Sequence, residues 1–212
     1  MRVIDMETWS RRDHFALFST YGYPHFGLTV NVNLTSFYPA VKKGGHSFTV
    51  AMVYIVTRAV NAVPEFRYRI RGEQVVEHEV INPGFTFLTG PDTFSFCFSD
   101  YCTDFLSFTA ETAASIEKVK ADPSLDNRPN DDVIYMTAMP WVTFTSFLHP
   151  MRLQPGEDSI PRFVWGRFFE QGNKLLMPLG AQAHHAVVDG IHMGKFFAEV
   201  QGLLDRPDEV LG

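Results

Sequence analysis

The chain has 212 residues, of which 45% are hydrophobic and 20% charged, ordinary figures for one globular domain spanning 1–212 with a core that needs no staples. Its net charge is −6 and its only basic pairs are Arg11-Arg12 and Lys42-Lys43, which excludes a protein that tracks nucleic-acid phosphates. Two cysteines, Cys97 and Cys102, exclude a disulfide framework, and no CxxC or His/Cys spacing offers a metal site.

In chain order, the N-terminal segment MRVIDMETWSRRDHF has no apolar run of the signal-peptide kind. Residues 28–34 alternate, with Leu28, Val30, Val32 and Leu34 apolar and Thr29, Asn31 and Asn33 polar, as in a strand with one wet face. Residues 48–63 predict a buried helix stopped by Pro64. Thr49, Thr57, Arg58 and Asn61 interrupt this stretch, which is too short and too polar to cross a bilayer. The expected location is therefore the cytoplasm, with no membrane partner. Residues 67–70 and 74–79 flank Arg71-Gly72-Glu73, a hairpin signal, and two more short strands are expected at 85–89 and 93–99.

Phe105, Phe108, Thr112, Ile116 and Val119 recur at helical spacing, predicting a helix over 103–120 that Pro123 closes. Polar loops are expected at 124–132 and at 149–161, the second carrying Pro155-Gly156. Between them, strands are expected at 133–138 and 142–147 around Pro140. Residues 162–170 and 174–179 pair across Gln171-Gly172-Asn173, residues 181–188 extend the strand region, and an amphipathic helix covers 191–204. Hairpin-linked strands with few helices predict an α+β fold: a two-layer sandwich with helices on a mixed, largely antiparallel sheet. Twenty Phe and seven Tyr are more than such a core needs, and the excess suits an apolar pocket or a subunit interface.

The informative segment is Ala183-His184-His185-Ala186-Val187-Val188-Asp189-Gly190, where an apolar strand runs into a tight turn and Asp189-Gly190 opens a helix. Each residue has an ordinary reading: Asp189 as an N-cap, Gly190 as a backbone accommodation, the histidines as satisfied core residues. The pattern HHxxxDG as a whole arises by chance at roughly one in a million starts, which weakens that reading. An imidazole titrates near neutrality and is a competent general base when partly buried and neutral. Adjacent strand residues point to opposite faces, so only one of the two histidines faces a given site.

This pattern and most of the chain, from about Trp9 to Leu204, resemble the chloramphenicol acetyltransferase family. The anchors are TWSRRDHF, ending at Phe15, NAVPEFR from Asn61, TAMPWVTFTSF from Thr137, LLMPL from Leu175 and HHAVVDGIH from His184. HHxxxDG alone is shared with dihydrolipoamide acyltransferase cores and peptide-synthetase condensation domains; the further blocks make the likeness specific. The resemblance implies transfer of acetyl from the co-substrate acetyl-CoA directly to a hydroxyl of chloramphenicol, or of a similar small aromatic alcohol, in a ternary complex. It implies His185 as the general base and Thr137, where the family has serine, as the oxyanion donor. It implies an Arg11–Asp189 pair that supports the active-site turn, costing about 3–5 kcal/mol to break singly if buried. His184 is then structural, and Arg12 and Asp13 face solvent.

Phe18, Phe26, Phe94 and Phe147 fall where the family lines its acceptor pocket. The family also assembles as a homotrimer with active sites at subunit boundaries. The chain departs from the family pattern at Val164, which lacks a threonine hydroxyl, and at Ser47, which stands where a lysine lies near CoA. Lys42, Lys43 or Arg167 are the remaining cations for the CoA phosphates. Tyr135, Gly84, Phe96 and His149 also differ from common family residues. The competing readings are a same-fold acyltransferase with a different acceptor or acyl donor, and a ligand-binding homologue without turnover.

Overall fold

A computed structural model describes residues 1–126, 130–151 and 158–212. In chain order the elements are β1 (Arg2–Val3), α1 (Arg12–Phe18), β2 (His25–Asn33), α2 (Phe37–Lys43), α3 (Phe48–Ala62), β3 (Tyr68–Arg71), β4 (Gln74–Glu77), β5 (Asn82–Leu88), β6 (Phe94–Phe98) and α4 (Phe105–Ala121). There follow β7 (Val133–Met139), β8 (Arg162–Gly166), β9 (Phe169–Gln171), β10 (Lys174–His184), α5 (Gly190–Asp205) and α6 (Pro207–Leu211). A 3₁₀ turn at Pro64–Arg67 joins α3 to β3.

Seven strands form one sheet in the order β2-β10-β8-β7-β5-β6, with β9 beside β10. The β2–β10, β10–β8, β10–β9 and β5–β6 ladders are antiparallel, and the β5–β7 and β7–β8 ladders parallel. A second, antiparallel sheet has the order β1-β4-β3. The α+β sandwich expected from the pattern of elements is therefore the observed architecture.

Strand alternation sets the two faces of the large sheet. Ile134 and Met136 of β7, Phe163 and Trp165 of β8, and Leu179, Ala181 and Ala183 of β10 join the core with α3 and α5. The intervening Tyr135, Thr137, Val164 and Gly180 point to the other face. Helix α3 is buried from Val50 through Thr57, and the Ser47 hydroxyl caps it by accepting from the Val50 N–H. Helix α5 is locked to β8 and the 3₁₀ turn by Phe66, Phe163 and Phe196, all fully buried, with ring centroids 4.9–5.9 Å apart.

The structure differs from expectation in three strands. Residues 142–147 form no strand. At that point β7 is flanked by β5 and β8, and β8 by β7 and β10, so no ladder edge is free for them. Instead the Arg167 N–H donates to the Val142 carbonyl. The single strand expected over 162–170 is split into β8 and β9. Its register against β10 slips by one residue between Trp165 and Phe169, a bulge beside Pro178, which has no N–H to donate.

The last strand stops at His184 rather than running on to 188. The β3–β4 and β9–β10 turns carry Gly72 and Gly172 at φ +61° and +62°, backbone that favours glycine. Elements α1, α2, α6 and β1 were not expected, because each is too short to show a period and α2 contains Pro39. Residues 127–129 and Pro155-Gly156 of the two expected loops lie outside the described residues. Among the described residues no helix is long and apolar enough to cross a membrane.

Because α5 carries Asp189 at its N-cap, its seating on β8 matters to the site. Phe196→Ala is expected to cost about 3–5 kcal/mol, read as a lower urea midpoint in equilibrium unfolding.

Candidate active site

The turn between β10 and α5 is closed by a complete set of hydrogen bonds. The His185 N–H donates to the Pro24 carbonyl at 2.8 Å, and the Val187 and Val188 N–H groups donate to the His184 carbonyl at 3.2 and 3.0 Å. Side chains take the rest: the Ala186 N–H donates to His184 Nδ1 (3.2 Å), the Asp189 N–H to His192 Nδ1 (3.0 Å) and the Gly190 N–H to Asp189 Oδ1 (2.6 Å). Six successive amides thus have acceptors, which fixes the backbone of a segment that is neither helix nor strand.

Arg11 spans this turn from outside. Its Nη1 donates to Asp189 Oδ2 at 3.1 Å, and its Nη2 donates to the His185 carbonyl at 3.3 Å. Arg11 is the N-cap residue of α1 and makes no side-chain cap bond, which leaves its guanidinium to cross over. The bond from Arg11 holds the Asp189 carboxyl below the usual carboxylate range, and the Gly190 N–H adds to this. The pair is less enclosed than a fully buried one: Arg11 is 12% exposed and Asp189 34%. Arg12 and Asp13 pair with each other at the surface.

The His185 ring lies between two phenyl rings. Phe18, at the end of α1, stacks on it at 4.0 Å with an interplanar angle of 7°, and Phe26 of β2 stacks at 4.4 Å and 29°. Its Nδ1 is buried with no hydrogen-bond partner among the described residues. Two of the four phenylalanines singled out from sequence therefore define the plane of this imidazole.

His184 faces the opposite way and is 4% exposed. Burial pushes its imidazole down to about 4, with His25 nearby adding to the effect. Its ring meets His25 edge-on at 4.9 Å, and His25 Nε2 lies 2.7 Å from the Asp158 carbonyl oxygen. His149 lies close by, its N–H donating to Gln182 Oε1, and burial also pushes its ring down to about 4.

Thr137 does not approach His185 within one chain. It is level with Val164 on β8, which is level with Gly180 on β10, five residues before His185. Two strand spacings across and five residues along place the two Cα atoms about 19 Å apart. Phe94 is farther still, on β6 at the opposite edge of the sheet. Phe147 packs with Phe144 and His149 at 5.9 and 4.8 Å.

Of the cations, Lys42 lies over the Tyr38 ring at 5.5 Å, and Lys42, Lys43 and Arg167 are exposed. Ser47 serves as the α3 cap. Sequence reasoning passed over His192 and Glu65. His192 closes the quoted HHAVVDGIH segment at position N3 of α5, and its Nε2 lies 3.4 Å from Glu65 Oε1 in the 3₁₀ turn. The signal available was the spacing of three from the N-cap Asp189, where a capping box places a reciprocating side chain.

Comparison with known proteins identifies the family. A family model described as chloramphenicol acetyltransferase matches residues 1–201. The chloramphenicol acetyltransferase of Proteus mirabilis is 33% identical over 206 residues, covering 96% of this chain and 94% of that protein. That of Escherichia coli is 34% identical over 212 residues with the same coverage. A solved chloramphenicol acetyltransferase superposes with a TM-score of 0.86 at 26% identity, covering 96% of this chain and 99% of the other. The Azotobacter vinelandii dihydrolipoamide acetyltransferase shares the fold, with a TM-score of 0.68 at 16% identity. With the family model spanning nearly all of the chain and relatives above 30% identity along its length, the chain belongs to the chloramphenicol acetyltransferase family.

Proposed function

We propose that this protein transfers acetyl from acetyl-CoA to a hydroxyl of chloramphenicol or a similar small aromatic alcohol, with His185 as the general base. The observation that carries this reading is the family match over residues 1–201. The geometry is in keeping with it: His185 sits on a fully hydrogen-bonded turn, with its ring plane set by Phe18 and Phe26.

With Nδ1 enclosed, Nε2 is the nitrogen that meets the acceptor. It takes the hydroxyl proton as the oxygen attacks the thioester carbonyl. The tetrahedral intermediate carries an oxyanion, to which the Thr137 hydroxyl donates. Collapse breaks the C–S bond, and the leaving thiolate takes the proton from the imidazolium, so no acyl-enzyme forms. A positioned base of this kind contributes about 10² to 10⁴ in rate.

The separation of Thr137 and His185 supports a site shared between copies of this chain. A base and an oxyanion donor must both lie within hydrogen-bond reach of adjacent atoms, which a span of about 19 Å forbids within one chain. In the shared arrangement, His185 of one copy faces Thr137, Phe94 and Phe147 of the next, within a homotrimer. Lys42, Lys43 and Arg167 are exposed and available to the CoA phosphates. Val164 stands beside Thr137 and removes one hydroxyl from that wall.

Three outcomes are expected. In His185→Ala, acceptor-dependent release of CoA thiol falls about 10² to 10⁴-fold while the circular dichroism spectrum is unchanged. A folded variant that keeps the native rate would remove the base assignment. Thr137→Val loses about 10²-fold or more in kcat. Co-refolding it one-to-one with His185→Ala restores about a quarter of native activity if the two groups come from neighbouring copies of a trimer, and none if they come from the same chain. Asp189→Asn costs about 1–2 kcal/mol at neutral pH, after allowance for solvent screening. Since the folded carboxyl titrates below its unfolded value, that stabilisation is present above the ordinary carboxylate range. It disappears as pH falls through the folded value, so the gap in urea midpoints narrows below about pH 4.

A further inference from the structure

Two histidines other than the base hold the turn, and each does so through Nδ1 as an acceptor. His184 Nδ1 receives the Ala186 N–H at one end and His192 Nδ1 receives the Asp189 N–H at the other. An imidazole nitrogen accepts only when it carries no proton, so both rings work in the uncharged form. His192 is buried, at 6% exposure, and its proton is confined to Nε2, which lies 3.4 Å from Glu65 Oε1. Glu65 comes from the 3₁₀ turn that ends α3, and its other oxygen is buried without a partner among the described residues.

We propose that His192 is a positioning residue for the base: its uncharged Nδ1, kept in that tautomer by the Glu65 carboxylate, fixes the Asp189 end of the turn that carries His185. This rests on His185 being the base. An N3 residue that reciprocates an N-cap is ordinarily Glu or Gln, which cannot change its accepting character at moderate pH. A histidine can. A proton on Nδ1 turns the acceptor into a donor facing the Asp189 N–H. Asp189 is then released from α5 on one side while Arg11 still ties it to the His185 carbonyl on the other.

The charged and titratable groups around His192 are Glu65, Arg11, Asp189 and Lys195. Burial lowers its affinity for a second proton and Arg11 and Lys195 act in the same sense, while Glu65 and Asp189 oppose them. The working form is therefore the neutral ring near neutrality, and the hold is lost on acidification.

The test is the pH profile of kcat at saturating acetyl-CoA and chloramphenicol, with folding followed by circular dichroism at every pH. In the native enzyme the acid limb steepens from a slope of one towards two, because protonation of His192 adds a second ionisation to the limb. His192→Asn presents Oδ1 to the Asp189 N–H, keeps kcat near the native value at pH 7.5, and shows a slope of one. His192→Phe keeps a ring without an acceptor and loses about 10- to 100-fold in kcat, with both KM values little changed. Glu65→Gln removes a negative charge and moves the steeper part of the limb to lower pH.

A slope of one in both the native protein and His192→Asn, or a native kcat in His192→Phe, overturns the positioning role. If His192→Phe does not fold, the Asn and Gln profiles decide alone. A folded, fully active His185→Ala overturns the base assignment and this proposal with it. An inactive His185→Ala with unchanged profiles elsewhere overturns only the positioning role.

Discussion

The Arg11 guanidinium is the tie on which the site depends. It bonds the carboxylate at the far end of the turn and the carbonyl at its near end, 178 and 174 residues away along the chain. A single planar fork can do this because its donors are fixed in direction, which a lysine ammonium does not offer. The turn is thereby pinned to the start of α1, and the same helix delivers Phe18 to the face of His185. The backbone of residue 185 and the plane of its ring are both referred to one short N-terminal helix with only one buried residue of its own, Phe15.

The sheet acts as the ruler for everything else. Because β10 has β2 on one side and β8 and β9 on the other, His184 and the turn emerge at a defined end of the sheet, level with His25. Thr137 is held two strands away and at a different level. Backbone ladders are stiff over such distances, so no side-chain rearrangement brings the two groups together. On the same molecule Phe94, Trp141, Val142 and Leu148 are large apolar side chains left exposed.

Five imidazoles lie near the turn, and their surroundings give them different work. His184 and His192 are buried and serve as acceptors for backbone amides. His25 and His149 sit with Asp158, Arg162 and Gln182 on the far face. Among these five, His185 is the one whose ring stacks face to face on phenyl rings, those of Phe18 and Phe26. The identity of the side chain thus says little; the hydrogen bond made by one ring nitrogen decides what the other is free to do.

The sequence alone determined the local features that depend on neighbours in the chain. The apolar run of α3 stopped by Pro64, the Gly72 and Gly172 turns, the N-cap at Asp189 and the HHxxxDG signature were all legible, because propensity, capping and turn chemistry act over a few residues. The fold class followed from the order of these elements. Only the tertiary structure decided that residues 142–147 find no free edge, that Arg11 also bonds the His185 carbonyl, and that Phe26 shares a ring stack with His185. It also decided that His192 answers to Glu65, and that Thr137 stands across the sheet from His185. Each is a contact between segments far apart in sequence, set by strand order and register, and a pattern of residue types carries no measure of that distance.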